Sequence, residues 1–139
     1  MKPVTIKKIK DELHYKSPQE LVELCLKLSK FKKENKELLT YLLFDAEDEE
    51  MYINNVNEYI TLLFDDINTK SFFYIRKSVR KILKLTKKYI RYSKKKETEV
   101  ELLLHFCKEL KKISPSISKS LFEPGIVAIL FLFSFYFTF

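Results

Sequence analysis

Apolar residues recur along this chain at helical spacing, and short polar clusters separate one run from the next. Ser17-Pro18-Gln19-Glu20 reads as a capping box with proline at the first helical position, followed by Leu21, Leu24, Cys25 and Leu28 on one face. The pattern predicts a helix from about Pro18 to about Lys33. Leu38, Leu39, Leu42 and Leu43 form a further apolar group beyond the polar stretch from Lys32 to Lys36, either continuing that helix or starting another. A third helix is expected from near Asp48, with Tyr52, Val56, Tyr59, Ile60, Leu63 and Ile67 on one face. Asn68-Thr69-Lys70-Ser71 makes the next turn with Ser71 as the cap. From there Phe72, Ile75, Val79, Ile82, Thr86 and Tyr89 advance by steps of three and four residues, an amphipathic seam. Thr98-Glu99-Val100-Glu101 is a second capping box, opening a helix through Leu103, Leu104, Cys107 and Leu110 that stops before Ser114-Pro115. No element is assigned ahead of Ser17.

Short connections between such helices favour antiparallel neighbours. The expected fold class is all-α: an antiparallel helix bundle or a short stack of αα-hairpins, four to five helices, with an apolar C-terminal tail. Residues 1–120 are read as one all-helical domain and residues 121–139 as the tail. Glycine supports this reading by its scarcity, since Gly125 is the one glycine of the chain. Phosphate cradles and primed hairpin turns both depend on glycine, so most nucleotide-binding motifs and tight β-hairpins are excluded for the 124 residues before it.

Charge adds a second pattern. Lys and Arg outnumber Asp and Glu by 26 to 19, and the arginines are Arg76, Arg80 and Arg91. Between Glu37 and Thr69 lie nine acidic residues and no lysine or arginine; between Lys70 and Lys96 lie twelve basic residues and no acid. The acidic cluster from Asp45 to Glu50 falls at the start of the third helix and the basic cluster at the end of the fourth, so each complements its helix dipole. Antiparallel packing of the two helices would also set them side by side as intramolecular pairs. The surplus is more specific. Arg80, Lys84, Lys87 and Arg91 follow one another by four, three and four residues, a stripe on the side away from the seam that could follow a phosphate backbone. Tyr89 and Tyr92 lie nearby as candidate stacking groups, although Tyr89 also fits the seam.

No catalytic constellation is legible. Carboxylate-bridged metal bundles use Glu-x-x-His on two helices, and neither His14 nor His105 has a glutamate three residues before it. His105 is placed with Glu101, Lys108 and Lys112 on a polar face, apart from Cys107 on the apolar one. The acidic run at Asp45 lacks the glycine that a calcium loop needs at its sixth position. Cys25 and Cys107 sit at core spacing among leucines, where thiols are ordinarily inert. The pattern therefore names no catalytic residue, metal ligand, cofactor or small-molecule substrate. The N-terminus has charges at Lys2, Lys7, Lys8 and Lys10 with no apolar h-region, which makes a reducing cytoplasmic compartment the expectation.

From Gly125 to Phe139 there is no charge, and six of the last nine residues are aromatic. As a helix, residues 126–139 would span about 21 Å against a hydrocarbon core of about 30 Å. The segment reads as a short membrane anchor, as an aggregation-prone strand with alternating Phe131, Phe133, Phe135 and Phe137, or as the product of a slipped reading frame in A- and T-rich DNA.

The segments KSPQELVELCLKLSKFKKENKELLTYLLFDAEDEE and SVRKILKLTKKYIRYSKKKETEVELLLHFCKEL resemble a family of short bacterial all-α proteins of unknown function, over roughly residues 1–120. That resemblance implies an all-α fold and no activity or site. In the family pattern a further charged helix follows where the phenylalanine run stands here, which favours the slipped-frame reading. The functional expectation is a non-enzymatic cytoplasmic interaction module with a protein partner. Its alternatives are a salt-sensitive nucleic-acid binder using Arg80, Lys84, Lys87 and Arg91, and a membrane-associated protein held by residues 126–139.

Overall fold

The computed structural model describes residues 2–113, so the tail and its three readings lie outside the described residues. Every element among them is helical: α1 (Ile6–His14), α2 (Pro18–Phe31), α3 (Lys33–Thr40), a π-helical turn (Tyr41–Asp45), α4 (Glu49–Asp65), α5 (Phe72–Ser93) and α6 (Lys96–Lys112). Six α-helices replace the four to five expected. The addition is α1, capped by Thr5, whose hydroxyl accepts from the Lys8 amide. Of the two alternatives for the segment after Lys32, the second holds: the helix beginning at Pro18 breaks there and α3 is a separate helix. Lys32 is extended (φ −140°, ψ 143°), and the Asn35 side-chain amide donates to the Leu28 carbonyl at 2.9 Å, supplying a partner that the broken helix no longer provides.

The chain divides into two compact units, Met1–Phe44 and Asp45–Phe139. In the first unit the capping box at Ser17 forms as expected: the Ser17 amide donates to the Glu20 carboxylate at 2.8 Å and the Glu20 amide to the Ser17 hydroxyl at 3.3 Å. The Ser17 backbone amide, its hydroxyl and Lys16 together hold the Glu20 carboxyl below its ordinary pKa. None of α1, α2 or α3 buries a residue, and Tyr41 in the π-helical turn is buried.

The second unit is built on α4, α5 and α6, which pack on one another. The Tyr52 hydroxyl, near the start of α4, donates to the Tyr89 carbonyl, near the end of α5, at 3.0 Å, so these helices are antiparallel. Helix α6 returns alongside α4 in the same direction, because Glu49 meets Thr98 at one end while the Phe64 and Phe106 rings meet edge-on at 5.3 Å further along. The antiparallel bundle read from the pattern is therefore an up-down-up set of three helices.

Its core is three interlocking rows. Tyr52, Val56, Ile60 and Phe64 come from α4, and Ile75, Val79, Ile82, Thr86 and Tyr92 from α5. Thr98, Leu102, Phe106 and Leu110, with Glu109, come from α6. Burying each large apolar side chain contributes about 1.5–3 kcal/mol. Expected faces are corrected on three helices, and on α5 the seam holds from Ile75 to Thr86 while Phe72 is exposed and Tyr92 is buried. On α4, Phe64 is buried and Tyr59 is 44% exposed, because steps of four keep one row against α6. On α6 the buried row runs through Leu102 and Phe106 rather than Leu103, Leu104 and Cys107. The helix begins at Lys96 after Lys95, whose side chain makes no capping hydrogen bond to it, and Thr98 turns inward and is fully buried instead of capping. The cap at Ser71 forms as expected, accepting from the Tyr74 amide, and α4 starts where expected, with Asp48 as a cap that accepts from the Met51 amide.

Helix α5 ends in the left-handed region at Lys94 (φ 58°, ψ 10°), with the Lys94 amide donating to the Ile90 carbonyl. Glycine usually fills such a position, since a Cβ there costs about 1–2 kcal/mol. Replacing Lys94→Gly should therefore raise stability by about 1 kcal/mol, read as a higher urea midpoint at unchanged slope.

Candidate functional site

Arg80, Lys84, Lys87 and Arg91 are all exposed on α5. Their placement follows from the core: Ile75, Val79, Ile82 and Thr86 fix the rotation of the helix, which carries the four cations to its opposite side. The structure brings them into one line and adds two residues that the sequence reading passed over. Lys77 lies three residues before Arg80, and Phe73 four before Lys77; both are exposed. The exposed row is thus Phe73, Lys77, Arg80, Lys84, Lys87 and Arg91, with steps of four, three, four, three and four.

The proposed stacking role of Tyr89 and Tyr92 is corrected. Tyr92 is buried, and its ring packs edge-on against Tyr89 at 5.9 Å. Tyr89 in turn meets Tyr59 at 6.5 Å, and the Lys88 ammonium sits over both the Tyr89 and Tyr92 rings at 5.1 and 6.0 Å. Tyr92 is thus in the core, and Tyr89 is half-buried and engaged with Tyr59, Tyr92 and Lys88.

The acidic start of α4 does meet the basic end of α5, at a defined junction. One oxygen of the Glu49 carboxylate accepts from the hydroxyls of Ser93 and Thr98, and the other pairs with the Lys95 ammonium at 2.8 Å. The Ser93 hydroxyl also accepts from the Lys95 amide at 3.3 Å. This carboxylate ties the first turn of α4 to the link between α5 and α6.

Toward the other end of the bundle, His105 Nε2 lies 2.8 Å from the Thr61 hydroxyl and 3.8 Å from the Glu109 carboxylate, which is buried and pairs with Lys112 at 2.6 Å. His105 therefore lies between α4 and α6, not on an outer polar face as its sequence neighbours suggested. A hydroxyl, an imidazole and a carboxylate are together here, but a nucleophile relay needs the hydroxyl and the carboxylate on different ring nitrogens. Both face Nε2, so the arrangement cross-links helices. Among the described residues no group of three His, Cys, Asp or Glu side chains could hold a metal ion.

The thiols also separate. Cys25 is exposed on α2, not in a core as its leucine neighbours implied, while Cys107 is partly buried and burial raises its pKa against a smaller opposing effect of Lys111. A shallow apolar groove between α1 and α2 is lined by Val4, Ile9, Leu13 and Leu24, with Lys8, Glu12 and Lys16 at its rim.

Two outcomes follow. Glu49→Ala leaves the buried Thr98 hydroxyl without its acceptor and should lower stability by about 1–3 kcal/mol in urea unfolding, with Glu49→Gln recovering part of the loss. Iodoacetamide at neutral pH should label Cys25 well before Cys107, as read by peptide mass spectrometry, and equal rates would contradict this placement of the two thiols. No family model, curated protein or solved structure matches the chain.

Proposed function

We propose that this protein is a non-enzymatic helical interaction module with a protein partner. The observation that carries the reading is the state of the first unit. Its three helices hold amphipathic faces yet bury no residue, leaving Leu24, Leu26, Leu28 and Phe31 on α2 and Ile6, Ile9 and Leu13 on α1 exposed. Apolar surface of this extent marks an interaction face in soluble proteins. The Glu49 junction and the three core rows supply a firm bundle in the second unit. Two thiols without a disulfide between them suit a reducing compartment.

A second reading, nucleic-acid binding, is favoured by one specific observation: Arg80, Lys84, Lys87 and Arg91 are all exposed along one line of α5. The membrane reading rests on residues 126–139, outside the described residues. Among the described residues no helix is long and apolar enough to cross a bilayer.

The partner reading is tested by affinity capture from cell extract with the full chain and with a Leu28→Asp, Phe31→Asp variant, whose exposed positions leave the fold intact. A defined protein retained at high salt by the parent and lost from the variant is the expected result. Equal recoveries, or retention that disappears with salt alone, would remove the apolar face as its basis.

A further inference from the structure

We propose that the outer face of α5 binds single-stranded nucleic acid, with Phe73 stacking on an unpaired base and the cationic row following the phosphates. This inference rests on the reading of α5 as a polyanion-binding face, and it names both the ligand class and the residue that selects it.

Phe73 is the first residue of the row that continues through Lys77, Arg80, Lys84, Lys87 and Arg91, all exposed. Phe73 is itself 70% exposed, and its ring and that of Tyr74 form a T-shaped pair with centroids 5.6 Å apart, so most of the Phe73 side chain is open to solvent. At 1.5 Å per residue the row from Phe73 to Arg91 is about 27 Å long, enough for several successive phosphates. It is straight, because the steps return the last residue to the azimuth of the first: eighteen residues are five turns of an α-helix.

Charge selects a polyanion, and no acidic residue interrupts the segment from Lys70 to Lys96. The aromatic group selects among polyanions. In a duplex the bases are already stacked and paired, so Phe73 would have nothing to stack against and only the cations would contribute. A single strand offers both phosphates and free base faces, and aromatic stacking is tolerant of base identity. An anionic bilayer fits less well. Interfacial helices place their apolar residues on one face and their lysines on the other, whereas here the outer face is cationic along its length with its aromatic group confined to one end.

The experiment is a fluorescence-anisotropy titration of the full chain against labelled oligothymidine and oligouridine of about 12 nucleotides, a duplex of equal length, and phosphatidylserine vesicles, over a salt series. The single strands should bind most tightly, with affinity falling steeply as salt rises. Phe73→Ala should weaken single-strand binding about tenfold or more while leaving duplex binding unchanged, and Phe73→Trp should restore it. Because Phe73 is exposed, circular dichroism of these variants should match the parent. Changing Arg80, Lys84, Lys87 and Arg91 to Glu should abolish binding of both nucleic acids. If that charge reversal abolishes binding but Phe73→Ala has no effect, the cationic face stands and the stacking inference is overturned. If no oligonucleotide binds even at low salt, both are overturned. Vesicle binding that depends on Phe73, without oligonucleotide binding, assigns the patch to a membrane surface and also overturns the proposal.

Discussion

The Glu49 carboxylate is the interaction on which the second unit depends. It closes the bundle at the end where the chain has least room to manoeuvre: α5 and α6 are joined by Lys94 and Lys95 alone, and the reversal is made by a left-handed lysine. A link that short would ordinarily rely on glycine. Here the strain at Lys94 is offset by neighbours on either side, with the Ser93 and Thr98 hydroxyls and the Lys95 ammonium all directed to one carboxylate brought in by α4. The same contact sets the register between α4 and α6, since fixing Glu49 beside Thr98 places Phe64 against Phe106 several turns later. Charge segregation along the sequence thus has a concrete structural outcome, a single well-placed acid meeting the basic turn.

Much of this fold was legible because the signals are local. The caps at Ser17 and Ser71 depend on side chains within three residues of the amides they satisfy and form as read, and the helix expected from near Asp48 starts there. What sequence could not supply was the choice between two adequate faces. In α6, Leu103, Leu104 and Cys107 are as apolar as Leu102 and Phe106, and only the demand of Glu49 for the Thr98 hydroxyl decides which face turns inward. His105 is a similar case, since its partner Thr61 is forty-four positions away. Helix α1 is different: Thr5 followed by Ile6, Ile9 and Leu13 carried an ordinary helical signal that was masked by the surrounding lysines. The basic stripe was legible because it lies opposite a strong seam, whereas Phe73 belonged visually to an aromatic cluster and only its exposure separates it from the core.

The two units distribute their apolar residues in opposite ways. In the second, the apolar rows meet each other and the polar exceptions, Thr86, Thr98 and Glu109, find partners in nearby carbonyls, carboxylates or ammonium groups. That order gives α5 a fixed rotation and therefore a defined outer surface. In the first, α1 and α2 carry side-chain caps while α3 has none, and the three helices bury no residue of their own.

Helices that bury nothing open at little free-energy cost, and opened chain is what proteases cleave. Among the described residues, α1, α2 and α3 are accordingly the elements that proteases would reach most readily, and anything that covers α1 and α2 would slow that cleavage.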